Sequence, residues 1–186
     1  MNHPAVVILI VAVVILAAVA AYFYSRERRS RLLREHFGPE YDRVVGQQKS
    51  VRQAEGVLQF RERARETLEI RPLSRTDQVA FSKEWTAVQQ QFVDDPARAV
   101  LRADQLVSQA MEARGYPVAS FEQRAEIVSV DHPTVVQNYR TAHEISLRQE
   151  KGRASTEDLR KAMVHYRSLF DELLEDTYTE RKEARG

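Results

Sequence analysis

The chain of 186 residues contains no cysteine, and it has only six glycines, six prolines and one tryptophan. Without cysteine there can be no disulfide framework, no cysteine-ligated zinc and no thiol nucleophile. This fits a reducing compartment, although a cysteine-free exported domain is also ordinary. The few glycines form neither a Gly-rich phosphate loop nor a Gly-x-Ser-x-Gly nucleophile elbow. These absences weigh against an enzyme, and no cofactor is predicted.

Histidine is the remaining candidate for metal binding, but its spacing does not favour a site. A helical zinc motif needs a second histidine four residues after His143, and Leu147 stands there instead. His143 and His165 lie on or beside apolar stripes and could meet across two helices. Histidines that only pack are the commoner outcome, so we predict no metal site. The five histidines are His3, His36, His132, His143 and His165.

The most prominent feature that is present is an apolar run from Ala5 to Tyr24, with no charge, glycine or proline. About twenty helical residues span roughly 30 Å, the thickness of a bilayer core. We predict a transmembrane anchor over residues 1–24, with aromatic residues at the interface where the body emerges. A cleaved signal peptide is the alternative, because Ala18-Val19-Ala20 has the small-x-small pattern of a cleavage site.

The charges that flank the apolar run predict the orientation of the anchor. No lysine or arginine precedes the run, whereas five arginines follow it closely, and such residues mark the cytoplasmic side. We therefore expect the N-terminus outside a bacterial inner membrane and the body in the cytoplasm; an exported body is the alternative. The five arginines are Arg26, Arg28, Arg29, Arg31 and Arg34.

The net charge of +1 conceals an asymmetry along the chain. Residues 25–75 carry 13 Lys and Arg against 8 Asp and Glu, whereas residues 76–186 carry 15 against 19. A basic segment beside a membrane is attracted to anionic headgroups, but the topology signal is the simpler interpretation and is favoured over specific lipid recognition. The acidic distal part gives no support to nucleic-acid binding, which would need a basic domain.

The hydrophobic spacing predicts an all-α protein, since no segment alternates with period two. We expect a single N-terminal transmembrane helix, a polar stalk helix from about Pro39 to Glu69, and a bundle of about five amphipathic helices. The domains are then a basic juxtamembrane segment with the stalk at 25–70, a bundle at 71–175 and a polar tail at 176–186. Self-association of the stalk as a coiled coil is the less favoured alternative, because its apolar stripe is interrupted.

Capping signals predict where the bundle helices begin and end. Ser74, Asp95, Ser120 and Ser155 each precede a helical pattern, and Gly115 is expected as a left-handed C-terminal cap. Asp131-His132-Pro133 has the same appearance of a helix start, and Trp85 falls within an apolar stripe and is expected in the core. The expected helices are 75–93, 96–114, 120–128, 133–150 and 155–174.

These observations favour a membrane-anchored, non-enzymatic protein that binds a protein partner, acts as a scaffold or pairs with itself. The residues favoured as partner contacts are Tyr116, Asp131 and His132, because packing does not obviously require them. An exported envelope protein with a ligand-binding helical body and an enzyme of unrecognised type are the alternatives.

Six short phrases stand out along the body of the chain: Phe37–Arg43 (FGPEYDR), Ile70–Ser74 (IRPLS), Phe92–Pro96 (FVDDP), Arg114–Val118 (RGYPV), Asp131–Pro133 (DHP) and Ala162–Arg167 (AMVHYR). Together they resemble an uncharacterised family of small bacterial membrane or secreted-type helical proteins. The resemblance covers about Leu32 to Leu174 and implies the same layout of an anchor followed by a helical body. It implies no activity and no site residues.

Overall fold

The computed structural model describes residues 3–175, with side-chain burial described from Ile10 onward. The predicted polar tail at 176–186 therefore lies outside the described residues. Those residues form eight α-helices and no strand, which confirms the all-α prediction. The helices are α1 (His3–Phe37), α2 (Pro39–Gln47), α3 (Val51–Glu66), α4 (Arg75–Asp94), α5 (Pro96–Arg114), α6 (Phe121–Asp131), α7 (Val136–Glu150) and α8 (Thr156–Leu174).

Helix α1 is one unbroken helix of 35 residues, and its two ends lie in different environments. From Ile10 onward the side chains of its apolar half are exposed, and it is the one helix of the described chain that is long and apolar enough to cross a membrane. An N-terminal signal sequence meets the same criterion. At the other end one face is buried, with Leu33 and Phe37 inside the protein, while the residues between them are exposed. The apolar side chains that stand exposed are Ile10, Val11, Val13, Val14, Ile15, Leu16 and Val19.

The expected stalk helix is instead two shorter helices, α2 and α3, which pack against each other. Gly38 adopts a φ of 49° and Pro39 begins α2, as the sequence indicated. The second break was missed: Ser50 accepts a hydrogen bond from the Gln53 amide and so caps α3. The Ser-x-x-Gln spacing of these two residues is a recognised helix-start signal. Folding back lets α2 and α3 bury apolar surface that a straight stalk would leave in water.

A small hydrophobic cluster joins α1, α2 and α3. It buries side chains from all three helices, and Val130 of α6 packs against its edge. The end of α1 is therefore part of a core and does not lead into a flexible tether. The buried members are Leu33, Phe37, Tyr41, Val44, Ala54 and Leu58.

The larger core lies among α4 to α8, where α7 packs on α8 and α5 packs on both α4 and α8. Trp85 stacks on Phe170 with ring centroids 4.6 Å apart, so it is a core residue as predicted. The helix starts expected at Ser74, Asp95, Ser120 and Ser155 are all present, each with a side-chain oxygen accepting a backbone amide.

One predicted helix start was wrong. Asp131 is the last residue of α6, and α7 begins at Val136 behind Val135, whose side chain makes no capping bond. Pro133 lies in the turn between the two helices. The carboxylate of Asp131 accepts bonds from Arg65 and Tyr116 instead. A capping pattern read from sequence alone does not reveal when a distant arginine takes the carboxylate.

Gly115 ends α5 where two segments of the chain approach closely. Its φ of 97° is left-handed, and a Cβ atom placed there would lie 2.5 Å from the Glu69 carbonyl oxygen. The adjoining Arg71 amide donates to the Arg114 carbonyl at 2.9 Å, so the same contact joins the 67–74 connection to α5. Only glycine satisfies both the backbone conformation and the available space.

We predict that Gly115→Ala lowers the free energy of unfolding. A non-glycine residue in the left-handed region costs about 1–2 kcal/mol, and the overlap with the Glu69 carbonyl adds to this. Thermal and urea unfolding of the full chain in a nonionic detergent, followed by far-ultraviolet circular dichroism, measures the change.

Gly46→Ala is the matched control, because Gly46 lies within α2 with open space around it. Alanine in a helix interior is favoured over glycine by about 0.5–1 kcal/mol. Equal stability of the two variants would contradict the role assigned to Gly115.

Candidate functional site

The arginines that follow the apolar run are exposed on α1, but they are not equivalent. Arg31 pairs with Glu27 at 3.2 Å, and Arg34 pairs with Asp42 at 3.4 Å while lying over the Tyr41 ring. The other three, which are Arg26, Arg28 and Arg29, make no hydrogen bond or ion pair within the described residues. The sequence placed all five in one class, and the structure divides them into a paired and an unpaired set.

A shallow hollow of about 410 Å³ lies along the face of α1 nearest the apolar segment. Arg28 and Arg31 border it one turn apart, beside the Tyr24 ring and the exposed Leu32. Glu27 is the only acidic residue that lines it. The hollow therefore combines two guanidinium groups with an aromatic and an aliphatic surface.

A second concave surface, the α1–α3 groove, has a volume of about 630 Å³. Both helices contribute residues at spacings of three and four, so one face of each helix forms one wall. Charges of both signs alternate along it. Burial raises the pKa of Glu62, which the nearby His36 opposes and Glu66 reinforces. The lining residues are Arg29, Leu32, Leu33, Glu35, His36, Gln59, Glu62, Arg63 and Glu66.

The carboxylate of Glu40, on α2, is fully buried. One oxygen accepts from Arg61 at 2.8 Å and from Arg140 at 3.0 Å, and the other accepts from Gln137 at 2.7 Å. Arg43, one turn along α2, donates to both oxygens at 2.9 and 3.1 Å. A single side chain of α2 is thereby bound to α3 and to α7.

The charges around Glu40 keep it ionised. Burial by itself raises the pKa of this carboxyl, but Arg43, Arg140 and Arg61 outweigh burial and hold the pKa below its ordinary value. Arg61 also donates to Glu126 of α6 at 3.0 Å, which extends the network to a fourth helix. The cluster explains why an arginine and a glutamate are tolerated at positions with almost no solvent exposure.

The three residues predicted as partner contacts are brought together, but inside the protein. Tyr116 donates to Asp131 at 2.8 Å, and Arg65 donates to the same Asp131 oxygen at 2.6 Å. His132 lies 3.2 Å from Glu172 of α8, through its Nδ1 atom. Burial raises the pKa of Tyr116 well above its ordinary range, and Asp131 reinforces the shift.

Those three side chains are almost inaccessible, so packing does use them, contrary to the expectation that it does not obviously require them. Tyr116 and His132 are 3% and 4% exposed, and the Asp131 side chain is 4% exposed. They join the turn after α5 and the end of α6 to α3 and α8. Polar residues at helix ends look dispensable in sequence because their distant partners cannot be seen there.

A further polar group lies among α5, α7 and α8. Tyr166 donates to Asp104 at 2.8 Å, and His143 lies 3.7 Å from the same oxygen while its ring stacks on Phe121. Burial raises the pKa of Tyr139 to about 12 and also raises that of Tyr166. Within the described residues no group of three or more His, Asp or Glu side chains could hold a metal ion.

Comparison of the chain with protein-family models, with characterised proteins and with solved structures gave no significant match. The resemblance drawn from the sequence phrases is thus an expectation that these comparisons do not test. Any function has to be argued from the geometry of the chain itself.

We predict that Glu40→Gln lowers the free energy of unfolding at neutral pH by about 3–5 kcal/mol, the usual effect of breaking a buried ion pair. The stabilisation by Glu40 is complete above its unfolded pKa, near 4.5, and is lost as pH falls through the lower pKa of the folded state. Urea unfolding of the full chain in detergent at pH 7 and at pH 4 measures both effects, and the variant should lose part of the acid dependence.

The control is Glu84→Gln, which removes an exposed 3.1 Å pair with Arg102. Exposed pairs contribute about 0–1 kcal/mol, so this variant should unfold like the parent. A parent and a Glu40→Gln variant with the same stability at neutral pH would refute the structural role of this carboxylate.

Proposed function

We propose that this chain is a single-pass protein of the bacterial inner membrane whose helical body is a protein-binding module and not an enzyme. The observation that carries the proposal is the contrast between the two halves of α1. One half exposes a continuous apolar surface, whereas the other half is charged and packs Leu33 and Phe37 into the body. Bilayer hydrocarbon is the environment in which such an exposed apolar surface is stable.

The proposed orientation places the N-terminus outside and the body in the cytoplasm. Its support is the excess of arginine immediately after the apolar run, together with the exposure of all five of these side chains. An exported body, or a chain cleaved near Ala20, is the competing arrangement.

We further propose that the protein bound at the α1–α3 groove is a second copy of this chain. An interface with two-fold symmetry brings the same patch together from both subunits, so the patch must complement itself. The groove does so because it carries Arg63 as well as Glu35, Glu62 and Glu66. Anchored copies also present the groove at one height above the bilayer, which raises their effective concentration.

The absence of native cysteine allows the orientation to be tested with single cysteines. Val93→Cys places a thiol on α4 at a side chain that is 82% exposed, and Asn2→Cys places one before the apolar run. In intact spheroplasts a membrane-impermeant maleimide should label Asn2→Cys and not Val93→Cys. Lysis should make Val93→Cys reactive, and an immunoblot should show the full-length chain.

Labelling of Val93→Cys in intact spheroplasts would overturn the cytoplasmic orientation. A chain shortened near Ala20 would overturn the anchor and favour an exported body.

Crosslinking of single cysteines, introduced into the same cysteine-free chain, tests whether two copies pair through the groove. Leu32→Cys lies in the groove and Val164→Cys lies on α8, and both native side chains are 56% exposed. In native membranes, a short bismaleimide should convert Leu32→Cys to a covalent dimer and leave Val164→Cys monomeric. No dimer at Leu32→Cys, or equal amounts in both variants, would exclude pairing through the groove.

A further inference from the structure

The feature that carries a further inference is the division of the arginines on α1 into paired and unpaired sets. Arg31 and Arg34 are neutralised by Glu27 and Asp42. The remaining three, Arg26, Arg28 and Arg29, are exposed and have no carboxylate partner within the described residues. A guanidinium without a partner keeps five donors available for an external anion.

The two sets also stand at different heights above the apolar segment. The helix rises 1.5 Å per residue, so the unpaired arginines lie about 3–8 Å beyond Tyr24 and the paired ones about 10–15 Å beyond it. A bilayer has a headgroup layer of about 5–7 Å on each side of its hydrocarbon core. Arg26 and Arg28 therefore fall within that layer and Arg29 lies at its outer edge, whereas the paired set lies above it.

The body holds this height constant. Helix α1 has no break between the apolar run and Phe37, and Leu33 and Phe37 are packed in a core with α2 and α3. The aromatic residues Tyr22, Phe23 and Tyr24 are exposed just before the arginines, where the interface of a bilayer favours them. No hinge separates the aromatic belt from the unpaired arginines.

The hollow on α1 gives one of these arginines a defined surrounding. Arg28 borders the hollow with Tyr24, while Leu32 supplies an apolar surface. Arg31 and Glu27 also line the hollow, but they pair with each other at 3.2 Å. Arginine binds phosphate oxygens bidentately, and a tyrosine hydroxyl donates to the same kind of acceptor. Hollow and arginines together suit a phosphate attached to an acyl chain better than they suit a free anion.

We propose that Arg26, Arg28 and Arg29 bind the phosphate groups of anionic phospholipids in the leaflet from which the body emerges, and that Arg31 and Arg34 do not take part. The inference rests on the proposed membrane anchoring, but it does not depend on which side of the membrane carries the body. The five arginines look alike in the sequence, and the structure separates them into a lipid-binding set and a set that pairs within the protein.

The test measures lipids retained by the full chain in a nonionic detergent, using native mass spectrometry with equal amounts of phosphatidylglycerol and phosphatidylcholine. The parent should retain phosphatidylglycerol preferentially. The triple variant Arg26→Gln, Arg28→Gln, Arg29→Gln should lose that preference by about tenfold or more, since each juxtamembrane charge contributes substantially near an anionic surface.

The matched control is the double variant Arg31→Gln, Arg34→Gln, which removes arginines from the same helix but from the paired set. It should keep the preference of the parent within about twofold, because its arginines lie mostly beyond the headgroup layer. All variants should remain equally helical, because the substituted residues are exposed, and circular dichroism verifies this.

A triple variant that still selects phosphatidylglycerol, or a double variant that loses selection equally, would overturn the inference. The lipid result is independent of the orientation test, because lipid retained in detergent does not report on which side of the membrane the body lies. Labelling of Val93→Cys in intact spheroplasts would refute the cytoplasmic body and leave the lipid result standing.

Discussion

The structure depends above all on one buried carboxylate. Glu40 has no access to solvent, and its two oxygens accept hydrogen bonds from α2 itself, from α3 and from α7. Taking a carboxylate out of water is unfavourable unless its lone pairs are all satisfied and opposite charge lies close by. Three guanidinium groups supply both the hydrogen bonds and the opposite charge, so the ion network positions the first three helices against the bundle. Loss of the Glu40 carboxylate would leave these guanidinium groups without their shared acceptor.

This arrangement determines how the apolar segment is connected to the rest of the protein. The helix that carries the apolar run ends in the small core formed with α2 and α3, and Glu40 and Arg65 bind that unit to α7 and α6. Orientation at the apolar end is thus transmitted to the body through packed side chains and not through a loop. The groove and the unpaired arginines lie on this unit, at the place where a bilayer and a body would meet.

The local features of the fold were accessible from sequence, whereas the site was not. Ser74, Asp95, Gly115 and Ser155 act as predicted because a cap needs only its own helix. The predicted contacts Tyr116, Asp131 and His132 are interior residues, since their partners Arg65 and Glu172 come from other helices. The break between α2 and α3 lay within reach of the sequence, because Ser50 and Gln53 carry the spacing of a helix start.

The sequence by itself determined the helical class, most helix ends and the long apolar N-terminal helix, because these depend on residues within a few turns of one another. Tertiary structure alone decided which charges are buried and which are free. Glu40 meets partners 21 and 100 positions away, and Arg65 meets Asp131 across 66 positions. Sequence alone predicts that a charged side chain is exposed to water. Only the packing of helices that are distant along the chain removes that water and brings an opposite charge into contact.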